Sequence, residues 1–293
     1  MYPVPIREYY RPTSIDEARR LAVESTGTSF FIAGGMSLMQ AIKSRMVAPD
    51  CLIDLNAIDE LRRIEIGADT IRIGSMARYR DVVECAASLT PFDALTDAAS
   101  RVGDRQVRNR GTLGGSLSWN YISACTPVAA LACDSSIEIL RSNGATETLR
   151  IDDFLLGPMT TALDDGDLLT AIVLRKPGGI CGSAYRKWGI VTDSLPVISV
   201  AVFFELDSSG KCRAARFAVG GLDSGPQRSA AAEEKLSANA DVTDAGVLRK
   251  CALAAAEELS TAGDPWISAD FKAQLIGQLG TEMLIKAAAR ARG

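Results

Sequence analysis

Six residues near the middle of the chain, Gly111 to Ser116, contain three glycines and two hydroxyl side chains. They lie in a longer stretch, Arg108 to Pro127, and are too rich in glycine to predict a core strand. Glycine lets the backbone pass close to a ligand and adopt positive φ at little steric cost. Successive amide groups in such a turn form a concavity that suits phosphate. The segment therefore predicts a phosphate-binding turn.

A second glycine pair, Gly34-Gly35, follows the apolar run Ser29 to Ala33 and precedes a segment of helical character, Ser37 to Arg45. A strand, a glycine turn and a helix in this order aim free N–H groups at an anion. The third glycine of a Rossmann G-x-G-x-x-G motif is missing, and no Gly-Lys-Ser/Thr of a P-loop follows. Two glycine turns of this kind predict two clamps on one large phosphorylated cofactor.

The chain has 293 residues and no histidine, which excludes Ser–His and Cys–His nucleophiles, histidine metal sites and a flavin attached through histidine. Its seven cysteines are scattered without a C-x-x-C pair. This spacing fits neither a structural zinc site nor a cysteine-held iron–sulfur cluster. We expect no metal site in this chain, and any redox chemistry must use an organic cofactor or the remaining polar side chains.

The net charge of −4 argues against a general nucleic-acid-binding protein. Apolar runs such as Val197 to Phe204 are too short to span a membrane. The first ten residues lack the apolar segment of a signal peptide. We therefore expect a cytoplasmic protein with reduced thiols, no nucleic-acid partner and no membrane insertion.

The pattern of apolar residues predicts an α+β fold. Ser14 is placed to cap a helix over 14–25, with Glu17 at the capping-box spacing. Before a break at Lys176 to Gly179, the predicted strands are 29–33, 51–56, 70–74, 136–140, 146–150 and 168–174, and further helices are 75–85, 92–101 and 127–131. After the break, three antiparallel strands (181–190, 197–206 and 214–219) precede helices at 229–236, 245–259 and 271–292.

Two motifs connect the chain to a known family. A-G-G-x-S-L is matched by Ala33 to Leu38, and R-N-R-G-T-[IL]-G-G-S-L is matched by Arg108 to Leu117. Further landmarks follow in the same order as in the family: Ile73 to Met76, Phe154 to Ala162, Tyr185 to Lys187, Val219 to Leu222 and Ser268 to Lys272. The chain resembles the FAD-binding (medium) subunits of molybdenum hydroxylases, a group that includes carbon monoxide, xanthine, nicotine and ketone dehydrogenases.

The resemblance implies two domains. Residues 1–176 would form an FAD-binding domain of the PCMH or vanillyl-alcohol-oxidase type, with subdomains of about 1–56 and 57–176. Residues 177–293 would form a small C-terminal α+β domain of the CO dehydrogenase flavoprotein type. We expect that domain to contain a three-stranded antiparallel sheet and helices.

The resemblance also implies non-covalent FAD and a set of contacts to it. One side of the pyrophosphate would be held by Ala33, Gly34, Gly35, Met36, Ser37 and Leu38, and the other by Thr112, Gly114, Gly115 and Ser116. Lys187 would lie near the pyrimidine edge of the flavin, Leu195 over its ring and Leu169 near the adenine. The sequence alone leaves an exposed strand lysine as the alternative for Lys187 and a core position as the alternative for Leu195. No residue is expected to be catalytic.

The chain departs from the family after the second glycine motif. The family usually reads D-P-A-A-D-x-P, whereas this chain has Tyr121 to Pro127 without either acid. Cys125 stands where the second acid commonly binds the sugar part of FAD. Because a thiol is a weak donor and acceptor, that contact must be replaced or lost.

By resemblance, the function is electron transfer. A molybdopterin-binding large subunit would hydroxylate the substrate, a 2Fe–2S small subunit would carry single electrons, and FAD here would pass them to an external acceptor. The expected assembly is a dimer of heterotrimers. The alternatives are a stand-alone FAD-dependent oxidoreductase acting on a small organic substrate and a scaffold subunit without flavin. We further expect valine at Gly34 or Gly115 to block the pyrophosphate while leaving the protein folded.

Overall fold

The computed structural model describes residues 5–238, 240–259 and 261–292; residues 1 and 293, the outer limits of the predicted domains, lie outside this part of the chain. The first unit is a three-stranded parallel sheet with strand order β1-β3-β2. Its elements are β1 (Glu8–Tyr10), α1 (Ile15–Glu24), β2 (Ser29–Ile32), α2 (Leu38–Lys43) and β3 (Cys51–Asp54). Parallel strands need crossover connections, and here α1 and α2 lie in them. The carboxyl ends of β2 and β3 are adjacent because Ile32 pairs with Asp54.

The second unit is a five-stranded antiparallel sheet with a helical layer. Two 3₁₀ turns, Leu55–Ala57 and Asp59–Arg62, lead into β4 (Ile64–Ile66) and β5 (Thr70–Gly74). Six helices follow: α3 (Tyr79–Glu84), α4 (Ala86–Leu89), α5 (Asp93–Ser100), α6 (Arg105–Arg110), α7 (Leu113–Trp119) and α8 (Cys125–Ala132). The chain then forms β6 (Ser136–Leu140), β7 (Thr146–Arg150), α9 (Ile151–Phe154), β8 (Leu155–Gly157), β9 (Thr160–Thr161) and β10 (Leu168–Arg175). The strand order of the sheet is β4-β5-β10-β6-β7.

The third unit is a C-terminal antiparallel sheet covered by helices. It consists of β11 (Ile180–Trp188), β12 (Ile198–Leu206), β13 (Cys212–Gly220), β14 (Gln227–Arg228), α10 (Ala230–Ser237), α11 (Ala245–Glu258) and α12 (Ala269–Ala291). The predicted α+β class is confirmed, but the prediction of three strands is wrong, because the sheet has four in sequential order. The fourth strand pairs only two residues with β13. So short a strand carries no alternating pattern that a sequence could show.

Helix α8 joins the second and third units. All eight of its residues are buried, and its side chains share one apolar core with Tyr185, Ala201 and Ala218 of the C-terminal sheet. The opposite face of that sheet packs against α10, α11 and α12 in a separate core. A helix that is apolar all round is buried on all sides. Among the described residues, no helix is long and apolar enough to cross a membrane.

Asp97 on α5 makes a polar connection to the C-terminal unit. Its carboxylate accepts hydrogen bonds from Arg290 (2.7 and 3.0 Å), from Lys286 (3.0 Å) and from the backbone N–H of Tyr185 (3.2 Å). Burial alone would raise the pKa of Asp97, but the hydrogen bonds from Arg290 and Lys286 outweigh burial, and the pKa is lowered. The ionised form is therefore the one that holds the two units together.

This shift predicts how stability depends on pH. A carboxyl whose folded pKa lies below its unfolded value, about 3.9 for Asp, contributes stability above that value and loses it as the pH falls through the folded pKa. Burial also opposes ionisation of Asp167, but its hydrogen bonds, Arg141 first, outweigh burial and lower the pKa. We expect the free energy of unfolding, measured in urea, to decrease as the pH is lowered below about 4. Asp97→Asn should make this decline shallower, and an unchanged decline would contradict the assignment.

Candidate functional site

The two glycine segments are in direct contact. A Cβ placed on Gly34 would overlap the carbonyl group of Arg110 and lie 2.9 Å from the Cα of Gly111. One placed on Gly115 would lie 3.6 Å from the Cβ of Ala33. The structure therefore brings together two motifs that are far apart in the sequence. It also corrects the expectation for Gly34: valine there would collide with the protein backbone, so an intact fold is not expected.

The first segment presents a row of open backbone donors. No described residue accepts a hydrogen bond from the N–H groups of Gly34, Gly35, Met36, Ser37 and Leu38. The turn is possible because Gly35 adopts a φ of +72°, which favours glycine. Unpaired backbone amides carry an energetic cost unless water or a ligand satisfies them. Consecutive amides in a turn of this kind suit an anion such as a diphosphate group.

The second segment is a helix rather than the predicted turn. Thr112 is the N-cap of α7, and its hydroxyl accepts from the N–H of Gly115 at 3.1 Å. The N–H of Gly114 donates to the carbonyl of Ser75 at 2.9 Å, and that of Ser116 donates to the carbonyl of Thr112 at 3.2 Å. Glycine inside a helix costs up to about 1 kcal/mol relative to alanine, and here close packing requires it.

The glycines of this segment allow close contacts. A Cβ on Gly111 would overlap the ring of Tyr79, and one on Gly114 would overlap the backbone of Ser75. The amides of Gly114, Gly115 and Ser116 already have partners within the protein, so this segment forms a closely packed wall beside the open donors of Gly34 to Leu38. Open donors on one side and a tight glycine wall on the other fit the diphosphate of a nucleotide cofactor.

Cys125 lies behind this wall. The side chain of Thr126, the next residue, donates to the hydroxyl of Ser116 at 2.8 Å. Cys125 is 6% exposed, and burial raises the pKa of its thiol, which stays neutral at pH 7. The hydroxyl of Tyr185 is also buried, which raises the pKa of Tyr185, and it is a hydrogen-bonding neighbour of the Cys125 thiol and of Ser199. A buried, neutral thiol thus occupies the position where the family commonly has an acid.

The remaining predicted contacts lie on two different elements. Lys187 on β11 donates from Nζ to the carbonyl of Ser194 at 2.6 Å, and its charge acts on Cys125. Leu195 follows in the same loop and is 61% exposed, so its core alternative is not what the structure shows. Leu169 on β10 is buried in the apolar core at 3% exposure. The structure thus groups Cys125 with Lys187 beside the glycine wall and leaves Leu169 in the core.

Two asparagines near the site escaped sequence reasoning. Asn120 ends α7 in a left-handed conformation and donates from Nδ2 to the carbonyls of Gly157 (2.7 Å) and Thr160 (3.1 Å). It thereby holds the hairpin β8–β9 against α7. Asn56 contacts the first glycine segment by donating to the carbonyl of Ala33 at 2.8 Å. A signal for Asn56 was available, since it is a polar residue at the end of the predicted strand 51–56.

Comparison with known proteins agrees with this geometry. Residues 5–176 match the family of FAD-binding domains in molybdopterin dehydrogenases, and residues 183–287 match the CO dehydrogenase flavoprotein C-terminal domain. The glyceraldehyde dehydrogenase medium chain of Sulfolobus acidocaldarius is 30% identical over 236 residues, 80% of this chain and 82% of that protein. The nicotine 6-hydroxylase medium subunit of Paenarthrobacter nicotinovorans is 29% identical over 287 residues, 98% and 99% of the two chains.

Solved structures show the same architecture. A chain of carbon monoxide dehydrogenase from Hydrogenophaga pseudoflava superimposes with a TM-score of 0.90 at 30% identity and covers 99% of both chains. A chain of quinoline 2-oxidoreductase from Pseudomonas putida 86 gives a TM-score of 0.90 at 25% identity over 100% of both. Since the FAD-binding match alone covers more than half of its residues, the chain belongs to the family of FAD-binding medium subunits of molybdopterin-containing dehydrogenases.

Proposed function

We propose that this chain binds FAD non-covalently and transfers electrons from a 2Fe–2S subunit to an external acceptor. The observation that carries the proposal is the row of open amides from Gly34 to Leu38, in contact with the glycine wall at Gly111 to Ser116. When bound, FAD supplies the redox chemistry, and the protein orients it and tunes its potential. The amides of Gly34 to Leu38 would hold the diphosphate, and Lys187 would lie toward the flavin ring.

The domain division forms part of the proposal. We place an FAD-binding domain at 1–176, with subdomains of about 1–56 and 57–176, and a C-terminal domain at 177–293. The parallel sheet ends at Asp54 and the five-stranded sheet ends at Arg175, which supports these limits. Limited proteolysis should cut first near Lys176 to Gly179.

The partners are proposed from the relatives, whose names describe them as medium chains or as subunits of complexes. We place molybdopterin on a large subunit and the 2Fe–2S cluster on a small subunit, in a cytoplasmic dimer of heterotrimers. Co-expression with both candidate partners, followed by size-exclusion chromatography with light scattering, tests the assembly. Elution of the three chains separately would contradict it.

The first test of the proposed function is an absorption spectrum of the purified chain before and after acid precipitation. Flavin bands that move to the supernatant would show non-covalent FAD. A colourless chain should recover the bands on titration with FAD. Failure to bind added FAD would overturn the proposal and favour the scaffold alternative.

A stand-alone oxidoreductase is the second candidate. Tyr121 in the altered segment is 38% exposed, so a small substrate could reach this region. Cys125 is buried, however, as are the other residues of α8, so the changed position itself is not accessible to a substrate. Rapid bleaching of bound flavin by an organic substrate, in the absence of other subunits, would support this candidate against the electron-transfer subunit.

Lys187 provides a prediction about the cofactor potential. We expect Lys187→Ala to retain FAD and to lower its reduction potential by on the order of 30 mV, which corresponds to about 1.4 kcal/mol for a two-electron couple. An ammonium group near the flavin favours the negative charge of the reduced ring. Arg186→Ala is the matched control, because Arg186 lies on the opposite face of β11 and pairs with Glu282. Equal potentials in the wild type and Lys187→Ala would contradict this role.

A further inference from the structure

Asn56 is fixed at the carboxyl end of β3, beside the first glycine segment. Its Nδ2 donates to the carbonyl of Ala33 at 2.8 Å and to Oδ1 of Asp54 at 2.7 Å. Its backbone N–H donates to the same Asp54 oxygen at 2.8 Å. Its backbone carbonyl accepts from the guanidinium of Arg62. The side chain is therefore held in one orientation by its neighbours.

The bond to Ala33 determines where the next amide points. In a planar trans peptide, the carbonyl and the N–H of the same unit point in opposite directions. Because the Ala33 carbonyl points toward Asn56, the N–H of Gly34 points away from it. That N–H is the first of the open donors from Gly34 to Leu38. Asn56 therefore fixes the direction of the first donor in the row.

A second contact supports Asn56 from the far side of the sheet. Tyr9 on β1 donates from its hydroxyl to Oδ2 of Asp54 at 2.5 Å. The strand order β1-β3-β2 places Tyr9 on one edge strand, Asp54 at the end of the central strand and Ala33 directly after the other edge strand. Ligands of open sheets with parallel strands commonly bind outside the carboxyl ends of the strands. Tyr9, Asp54 and Asn56 thus form a connected set of hydrogen bonds ending at the glycine turn.

We propose that Asn56 is a positioning residue for the diphosphate of FAD, and that Asp54 and Tyr9 hold it in place. Asn56 donates to the carbonyl of Ala33 and so keeps the amide of Gly34 directed at the phosphate oxygens. Without that bond the Ala33–Gly34 peptide can rotate and the first donor is lost. This inference rests on the proposed binding of FAD.

Asn56→Ala tests the inference through affinity, which requires no assembled enzyme. We expect FAD, titrated by fluorescence quenching, to bind about 10-fold more weakly, as the loss of one hydrogen bond to a charged group implies. ADP, which shares the diphosphate, should lose a similar factor as a competitor. Riboflavin, which lacks the diphosphate, should bind the variant and the wild type alike. A merely structural defect would weaken riboflavin and FAD together.

Asn143→Ala is the matched control. Asn143 makes a local turn bond to the N–H of Ala145 in the β6–β7 hairpin, so the same substitution there should leave FAD affinity unchanged. FAD affinity of Asn56→Ala within twofold of the wild type would overturn the inference. If Asn56→Ala does not fold, Tyr9→Phe tests the inference in its place. We expect this variant to bind FAD about threefold more weakly than the wild type. Wild-type FAD affinity in Tyr9→Phe would overturn the inference. A wild type that binds no FAD would instead overturn the proposed function.

Discussion

Gly34→Ala is expected to destabilise the protein by roughly 3 kcal/mol and to weaken FAD binding by at least about 100-fold. The added Cβ would overlap the carbonyl of Arg110, which belongs to the backbone and cannot rotate away. The two glycine segments must then separate. Separation would move the open amides away from the wall and remove several hydrogen bonds to the diphosphate at once.

Gly178→Ala is the control for this experiment. A Cβ there meets nothing within 4 Å, so alanine should leave stability unchanged or raise it slightly. Stability is measured by urea unfolding at pH 7, and FAD affinity is measured by titration of the folded fraction. Wild-type FAD affinity in a stable Gly34→Ala protein would show that the close contact of the two segments is not required for binding.

Asp97→Asn is expected to lower the free energy of unfolding by about 3 kcal/mol. The substitution keeps the side-chain shape but removes the negative charge that Arg290 and Lys286 face across the two units. The side chain of Asp97 is 17% exposed and that of Arg290 is 28% exposed, so water compensates only in part. The main effect should be weaker attachment of α12 to α5.

Glu24→Gln is the matched control, because Glu24 pairs with Arg20 on the surface of α1 with both side chains more than half exposed. Exposed pairs of this kind contribute about 1 kcal/mol or less. The two variants are compared by urea unfolding at pH 7. Equal losses in both would show that the Asp97 contacts behave as an ordinary surface ion pair.

The sequence predicted most helices and strands where the pattern was long. The strands at 70–74, 136–140 and 146–150 are confirmed with the predicted limits. Ser14 caps α1 as expected, although the carboxylate of Glu17 accepts from the N–H of Thr13 and not from that of Ser14. Short elements were missed, including β1 and β14, because two or three residues carry no periodicity. Helix α7 was not predicted because glycine has a poor helix propensity. In the folded chain, tertiary packing overrides that propensity.

By itself, the sequence determined the family, the two glycine segments and the exclusion of histidine chemistry, because these depend only on which residues are present and in what order. The tertiary structure decided what each segment contributes. Open amides remain at Gly34 to Leu38, whereas those at Gly114 to Ser116 are paired. It also decided that Asn56 supports the first segment and that Asp97 connects the units. Hydrogen-bond partners distant in sequence leave no local pattern, and only the folded chain brings them within reach.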